Sequence, residues 1–356
     1  MNSVDPSAIS TVHYSASVAA VRQYLHRAQQ SGVNVAAALA PLELDDQILE
    51  DNTRRISLAQ FEAVVAALIG GSNDPLFGLH TSETIEPAYY SVHGYLALNC
   101  ATLREALSMI PIYEKIVGDM GVSDFVYRNQ KTLLRWQSQL LNPLVQRHVR
   151  ENILASWFRF TQQYLKVEEN PAAVWFEHSA PETAALKEDY EALFQCPVEF
   201  DQPCTGIWIA DDYLDQRIAQ ADQNLLQVLQ DHATSLLHEL EKGLTLSDQI
   251  KGMLRLMLNS RIPSSELIAD KLGISVRTLQ RKLAEENSSY KDVLNELRQE
   301  LALHYVQNSS LTFDVIAKKL GFSEPRSFYR SFKQWTGKTA SQIREASVNK
   351  ASVNKP

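Results

Sequence analysis

The fold is decided by two related stretches, LIADKLGISVRTL at residues 267–279 and VIAKKLGFSEPRSF at residues 315–328. In the first, Ala269 is followed by Gly273 and then by Ser275, and the second repeats that spacing. A small Ala lets two helices cross closely, Gly ends a helix in the left-handed conformation, and Ser caps the next helix. Each stretch therefore predicts a helix-turn-helix whose second helix is free to enter a DNA groove.

The two units, at about residues 264–285 and 311–334, are joined by a predicted helix between Tyr290 and Asn308. Its buried side is formed by Val293, Leu294, Leu297, Leu301 and Tyr305. A helix of this length spans about 28 Å, close to the ~34 Å between successive major grooves on one face of DNA. One polypeptide would then read two grooves.

The region from about Leu246 to Ile343 resembles the DNA-binding domain of AraC/XylS-type transcriptional regulators. The resemblance rests on the two units, on Arg298 and Ala302 in the connecting helix, and on GFSEPRSFYRSFKQWTGKTASQIR at residues 321–344. It implies an all-α double helix-turn-helix domain over residues 245–345, with double-stranded promoter DNA and RNA polymerase as partners.

Two positions differ from the family pattern. Ala340 stands where the family has Pro, and Asn287 stands where a Gly often follows the first recognition helix. Asn tolerates the left-handed conformation, and neither position touches DNA in the family's geometry. DNA binding therefore remains the expectation.

The recognition helices are expected to bury Leu279 and Leu283 in the first unit and Phe328 and Phe332 in the second. Arg pairs with guanine and Gln with adenine in the major groove, whereas Lys and hydroxyl side chains contact phosphates. The family pattern favours as DNA-contacting Arg277, Gln280, Arg281, Arg326, Ser327 and Arg330. Thr278 and Lys333 are added as expected phosphate contacts. The alternative interpretation is a solvated basic surface.

Charge divides the chain in the same way. The sequence has a net charge of −8, yet residues 245–345 carry +5 and residues 1–244 carry −15. A basic end beside an acidic one indicates a polyanion-binding domain and a separate acidic domain. We predict a sensor domain over residues 15–210, a helical linker or dimer segment over 211–244, and a flexible tail over 346–356 that holds ASVNK twice.

The acidic part mixes helix and strand patterns. Helices are predicted over Ser15–Ser31, from the Ser57 cap to the Gly70-Gly71 pair, from Thr102 with a break at Pro111, from Pro143 to about Lys166, and over Pro181–Phe194. Strands are predicted around an Asn129-Gln130-Lys131 turn, at Val174–Glu177, at Val198–Phe200 and at Ile207–Ile209. Together they describe an α+β domain with a largely antiparallel sheet.

This part also resembles the "arabinose-binding"-type sensor domain of one AraC subfamily. The resemblance spans roughly residues 20–214 and rests on DPLFGL (74–79), GYL (94–96), TLREAL (102–107), VWFEH (174–178) and CPVEF (196–200). It implies a domain that binds an effector and partners and carries no catalysis. Related regulators answer to varied small molecules, so the family label does not identify the effector.

The segment from Asp211 to Lys242 is helical in pattern. Its apolar stripe consists of Leu214, Ile218, Leu225, Leu229, Leu236 and Leu240. The stripe fits a homodimer seam and a helix folded back on a neighbouring domain equally well.

Candidates for an effector pocket are Tyr89, Tyr90, His93 and Tyr95, although aromatic residues at this spacing also build cores. The many aromatic residues nearby favour an apolar or amphipathic effector. The negative charge of this part disfavours strongly anionic effectors, unless a buried arginine such as Arg128 or Arg135 pairs with a carboxylate of the effector.

The sequence gives little support for a metal site, a cofactor site, a disulfide framework or a membrane span. The nine His have no metal spacing, no cofactor motif occurs, and three Cys form no disulfide framework. No apolar run is long enough for a membrane span and no secretory signal begins the chain, which favours the cytoplasm. Two alternatives stay open: a ligand-independent regulator, and an enzyme domain fused to a DNA-targeting module. Activation and repression are both compatible with the sequence.

Overall fold

The computed structural model describes residues 14–42, 49, 51, 53–167, 169–242, 244–258, 262–308 and 311–353. The chain divides into two compact units, with the boundary after Lys242. The N-terminal unit combines helices with a five-stranded sheet, and the described residues of the C-terminal unit form helices and turns. The predicted order of an α+β domain followed by an all-α domain is confirmed.

The N-terminal unit alternates helices with short strands. Its helices are α1 (Val18–Gln30), α2 (Val35–Leu39), α3 (Leu58–Ser72), α4 (Phe77–Thr81), α5 (Ser91–Asn99), α6 (Leu103–Ser108), α7 (Ile110–Val117), α8 (Pro143–Gln163), α9 (Ala184–Phe194), α10 (Asp211–Leu214) and α11 (Gln223–Glu241). Its strands are β1 (Ser15–Ser17), β2 (Arg55–Ser57), β3 (Gly121–Arg128), β4 (Lys131–Ser138), β5 (Ala173–Trp175), β6 (Val198–Glu199) and β7 (Thr205–Ala210). Short 3-10 turns cover Ala40–Leu42 and Pro87–Tyr90.

The large sheet has the order β3-β4-β7-β5-β6, and its neighbours are antiparallel except for the pair β5 and β6. The β3–β4 hairpin closes through two residues, because Asn129 and Gln130 have φ angles of 52° and 59° and Lys131 already pairs with Arg128. Two left-handed central residues match the twist of antiparallel strands. The predicted three-residue turn is therefore one residue too long.

The predicted cap of α3 is confirmed, but its predicted end is wrong, and the helix predicted from Pro181 begins at Ala184 with Thr183 as its cap. Ser57 caps α3 through a reciprocal capping box, as predicted. The Gly70-Gly71 pair lies inside α3, which ends at the left-handed Asn73. A Cβ atom on Gly71 would lie 2.9 Å from Val33 Cγ1. Close packing explains this glycine better than helix termination does.

The first predicted helix is also shorter than expected at its start. Ser15–Ser17 forms β1, which pairs with β2, and the Ser17 side chain accepts a hydrogen bond from the Ala20 backbone as the cap of α1. Pro111 falls in the first turn of α7, where a missing N–H costs nothing. The predicted break there is confirmed, with α6 ending at Ser108.

The segment after the sheet folds back on its own unit. The chain leaves helix after Leu214 and re-enters it at Gln223, so the predicted helical run is interrupted. α11 packs against α5 and α7 with Leu226 and Ala233 buried. Leu225, which the sequence places in the apolar stripe, is 45% exposed. Within one chain α11 therefore folds back on its own unit, and part of its predicted apolar stripe stays exposed.

The C-terminal unit is built around one long helix. Its helices are α12 (Leu246–Met257), α13 (Ser265–Lys271), α14 (Val276–Glu285), α15 (Tyr290–Asn308), α16 (Phe313–Lys319), α17 (Pro325–Thr336) and α18 (Ala340–Val353). α15 has the predicted bounds and contacts α12, α16, α17 and α18. Its buried side includes Val293, Leu294, Leu297, Leu301 and Val306, and Tyr305 is only half-buried.

The end of the described chain differs from the prediction of an irregular tail after residue 345. α18 begins at the buried Ala340 and continues to Val353, so the first ASVNK copy has a helical backbone. Ala340 occupies the first helical position, where the family's Pro would also fit. Residues 354–356 lie outside the described part.

Candidate nucleic-acid interface and ligand cavity

The first helix-turn-helix unit consists of α13 and α14. Gly273 follows α13 with a φ of +64°, and the Ser275 hydroxyl accepts a hydrogen bond from the Thr278 backbone N–H at 3.2 Å. Ala269, Leu279 and Leu283, which are predicted to pack the two helices together, are all buried. One face of α14 is thus held in the core and its start is capped, as the sequence predicts.

The second unit consists of α16 and α17, and its turn is one residue longer than that of the first unit. Gly321 has a φ of +69°, but α17 begins with Pro325, whose missing N–H suits the first helical position. The cap residue is therefore Glu324, and its side chain makes no capping bond. The predicted Ser323 cap is wrong, because the turn of the second unit is one residue longer. The predicted burial of Phe328 and Phe332 is confirmed.

An arginine from the connecting helix fixes this longer turn. Arg298 donates from Nε to the Leu320 carbonyl and from Nη2 to the Gly321 carbonyl, both at 2.9 Å. Its guanidinium also lies 4.3 Å from the centre of the Phe322 ring. Carbonyls at a helix end lack intrahelical donors, so Arg298 satisfies two of them with charge-assisted bonds.

The eight predicted DNA-contacting residues lie on the outer sides of α14 and α17. Seven of them are exposed and Thr278 is half-buried; the exposed ones are Arg277, Gln280, Arg281, Arg326, Ser327, Arg330 and Lys333. Each recognition helix thus presents a polar, basic face opposite its buried pair. Direct contact with DNA stays a prediction.

The two faces differ in how their side chains are held. Arg281 bonds Glu285 at 2.6 Å, and the Thr278 hydroxyl lies 2.9 Å from that of Ser275. Among the described residues, the side chains predicted on α17 have no such partners. Glu285 corresponds in position to Gln334 of α17, which explains why Arg330 lacks an equivalent ion pair.

A cavity of about 100 Å³ lies inside the N-terminal unit, bounded mainly by α1, α5, α7 and α8 and by the start of the β3–β4 hairpin. Its walls are mostly apolar and include Trp136, Trp157 and Phe160. One water needs about 10–15 Å³, and an engineered cavity of about 150 Å³ binds benzene. The cavity has the size for a small organic molecule.

One side of the cavity is a closed polar network between α1 and α8. Asn152 Nδ2 donates to Gln23 Oε1 at 3.1 Å and to the Tyr24 hydroxyl at 3.0 Å. Gln23 Nε2 donates to the Ser156 hydroxyl at 3.1 Å, which in turn donates to Asn152 Oδ1. Such satisfied networks give a rigid wall.

One polar group on the cavity wall has no partner among the described residues. His93 Nε2 is buried and makes no hydrogen bond there, whereas the Tyr90 hydroxyl lies beside Gln23 and Ser156. Burial lowers the pKa of His93 to about 4 and raises the pKa of Tyr90, so both side chains are neutral at pH 7. Buried polar groups are nearly always satisfied, and a bound molecule would satisfy His93 Nε2.

The four aromatic candidates thus divide into two pairs. Tyr90 and His93 line the cavity, whereas Tyr89 is hydrogen-bonded to His26 at 2.7 Å and Tyr95 is 45% exposed, and neither lines it. Arg128 is exposed at the hairpin, and Arg135 pairs with Asp124. Neither arginine lines the cavity.

Sequence reasoning missed Gln23, Glu114 and Asn152 as lining residues. A signal existed for Gln23 and Asn152, because both are polar residues on the buried sides of otherwise apolar helix faces. For Glu114 the sequence offers no comparable signal, because it stands beside Lys115 and the pair is typical of an exposed, charged helix face.

The described residues contain no group of three His, Cys, Asp or Glu side chains arranged for a metal ion. Cys196 and Cys204 are half-buried free thiols. In the described part of the chain, no helix combines the length and apolar character needed to cross a membrane.

Comparison with known proteins gives two family matches. The family model of the N-terminal arabinose-binding domain of AraC transcription regulators matches residues 32–218. A helix-turn-helix domain model matches residues 268–346.

Individual relatives align over most of the chain. The ornithine utilization regulator of Pseudomonas aeruginosa is 25% identical over 329 residues, covering 92% of this chain and 96% of the relative. The HTH-type transcriptional regulator VirS of Mycobacterium tuberculosis is 25% identical over 291 residues, covering 81% and 84%. The crystal structure of the transcriptional regulator CdpR from Pseudomonas aeruginosa aligns at 21% identity and a TM-score of 0.43, covering 87% of this chain and 96% of that chain.

Proposed function

Because the chain belongs to the AraC family of transcriptional regulators, we propose that α14 and α17 read promoter DNA in two successive major grooves. The repeated geometry carries this proposal: each helix buries an apolar pair and presents arginines on its opposite, exposed face. A net charge of +5 over residues 245–345 supports phosphate binding by the same domain.

The side chains divide by chemistry into two roles. The base-reading residues we propose are Arg277, Gln280, Arg281, Arg326 and Arg330, because Arg and Gln make bidentate contacts to base edges. Thr278, Ser327 and Lys333 would contact the phosphate backbone and fix the register. Since Arg281 shares its charge with Glu285, we expect it to contribute less than Arg330.

We further propose that the cavity of the N-terminal unit holds the effector that controls DNA binding. The unsatisfied His93 Nε2 supports this, because a buried polar group is nearly always hydrogen-bonded and a bound molecule would supply the missing partner. The mostly apolar walls favour an apolar or amphipathic molecule. Effector binding would act by favouring one of two conformations of the regulator.

Three further parts of the proposal come from the family. The regulator would act in the cytoplasm, contact RNA polymerase at the promoter, and form a homodimer. For the homodimer, the chain offers β3, which is an edge strand of the large sheet, and the exposed Leu225 and Val228 of α11. Light scattering of the full chain at several concentrations tests it, and a monomer throughout would refute it.

The test of DNA reading compares two exposed residues of α17 in the full chain. Selection from random duplexes gives the preferred site, and binding is then measured for Arg326→Ala and Lys333→Ala. We expect Arg326→Ala to lose about 1–3 kcal/mol of discrimination at one base pair. Lys333→Ala should weaken all sequences alike and reduce the salt dependence. The same uniform loss from both variants would refute the base-reading role.

A further inference from the structure

We infer that the cavity takes a protonated amine on a short apolar body, and that Glu114 holds its charge. The inference rests on the proposed function, because it names the chemistry of the effector that the cavity would hold. Glu114 lies on α7 and is one of the cavity's lining residues.

The carboxylate of Glu114 is fixed in place but has no counter-ion. Its Oε1 accepts from the Ser123 backbone N–H at 2.8 Å, and its Oε2 accepts from the Ser123 hydroxyl at 2.6 Å. No described Lys, Arg or His forms an ion pair with it. A largely buried carboxylate without a cation is costly, and a bound ammonium group would remove that cost.

The nearby cations are engaged elsewhere. Lys115, the next residue of α7, bonds Asp119 at 2.7 Å. Arg55 donates to the backbone carbonyls of Lys115 and Ile116 and lies 4.0 Å from Asp119. The described cations next to Glu114 are therefore committed to other partners.

Glu114 is also the group that would decide the charge of the ligand. The described lining residues include no Lys or Arg, so an anionic head group would meet no compensating charge there. His93 is neutral at pH 7, and burial raises the pKa of both lining tyrosines, Tyr24 and Tyr90. Burial, with a smaller effect from Asp124, raises the pKa of Glu114 to about 7. A bound cation would favour the ionised form of this carboxyl group.

The apolar walls set the rest of the ligand. Trp136, Trp157 and Phe160 would pack on an aliphatic or aromatic body, and about 100 Å³ limits that body to a few carbon atoms. His93 Nε2 and the Tyr90 hydroxyl offer further hydrogen-bonding groups on the same wall.

The experiment uses the full chain and three probes of equal chain length: n-pentylamine, 1-pentanol and pentanoate. Because Trp136 and Trp157 line the cavity, tryptophan fluorescence reports binding, and the shift of the melting temperature checks it. We expect the amine to bind about tenfold more tightly than the alcohol, and pentanoate to bind least. The preference for the amine should grow as the pH rises from about 6 to about 8, because Glu114 ionises in that range.

Glu114→Gln tests the residue itself. Its amide oxygen can accept from the Ser123 backbone N–H, its NH2 can donate to the Ser123 hydroxyl, and it carries no charge. We expect the variant to bind 1-pentanol as before, which shows an intact cavity, and to lose the preference for the amine. The matched control is Glu188→Gln on the exposed side of α9, which should change neither affinity.

The outcomes separate the inference from the proposed function. If the alcohol or pentanoate binds more tightly than the amine, the inference fails while the cavity remains a ligand site. If Glu114→Gln keeps the preference for the amine, the assignment of Glu114 fails. If none of the three probes binds, the effector role of the cavity fails with it.

Discussion

The two helix-turn-helix units have the same architecture but hold their recognition helices by different means. In the first, the Ser275 hydroxyl caps α14, and Arg281 is tied to Glu285. In the second, Pro325 starts α17 without a side-chain cap, and Arg298 from the connecting helix bonds the turn. The turn of the first unit is thus capped by its own serine, whereas the turn of the second is bonded by an arginine from another helix. The far end of α14 is held from α12, where Leu246 and Ser247 donate to the Glu286 carboxylate.

The largest expected difference concerns the turn glycines. A Cβ atom at Gly273 would meet nothing within 4 Å, but at Gly321 it would lie 2.9 Å from Ile262 Cγ1. Left-handed Ala costs about 1–2 kcal/mol at either site, and overpacking adds about 1–3 kcal/mol at Gly321. Gly321→Ala should therefore destabilise its unit more than Gly273→Ala does.

Native-state hydrogen exchange of the full chain measures this effect, because it gives an opening free energy for each unit separately. Equal losses at both glycines would mean that Ile262 moves aside freely, and the contrast between the turns would disappear.

The second contrast concerns DNA affinity. Arg330 is exposed without an ionic partner among the described residues, whereas Arg281 is paired with Glu285. We expect Arg330→Ala to cost about 2 kcal/mol of binding and Arg281→Ala about half of that. Glu285→Gln should increase affinity, because it releases Arg281 and removes a negative charge near the phosphates.

Titration of the selected duplex at fixed salt measures all three variants. A larger loss for Arg281→Ala than for Arg330→Ala would show that the ion pair orients Arg281 for base reading instead of competing with it.

The smallest contrast is between the two serines. Ser275→Ala removes a cap and should cost about 1 kcal/mol of stability, whereas Ser323→Ala should cost close to nothing. Exchange protection of the first turns of α14 and α17 checks both variants. Comparable losses would mean that Ser323 stabilises the turn through a contact other than helix capping.

The sequence predicts what depends on neighbouring residues. Both units, the bounds of α15, and the buried Leu279 and Phe328 follow from spacing alone, because a helix repeats every 3.6 residues. Ser323 fails as a cap because Pro325 sets the start of α17, and that constraint overrides the repeat.

The cavity depends on contacts that spacing does not reveal. Asn152 meets Gln23 across 129 residues of chain, and the unpaired state of His93 is visible only once α5 is packed. Gly71 likewise packs closely on Val33. The sequence does not show this contact, because a Gly-Gly pair is also typical of a helix end. The sequence places Tyr89, Tyr90, His93 and Tyr95 on one short turn and the helix after it, but only the packed fold shows that Tyr90 and His93 line the cavity.

The extra residue in the second turn has a consequence for protein engineering. Grafting the reading residues of one unit onto the other requires alignment on the buried pairs, Leu279 with Leu283 and Phe328 with Phe332, and not on the glycines. An alignment counted from Gly273 and Gly321 would be off by one position, which is about 100° around a helix. A transplanted arginine would then point away from the groove, and a redesigned specificity would fail although every substituted residue was well chosen.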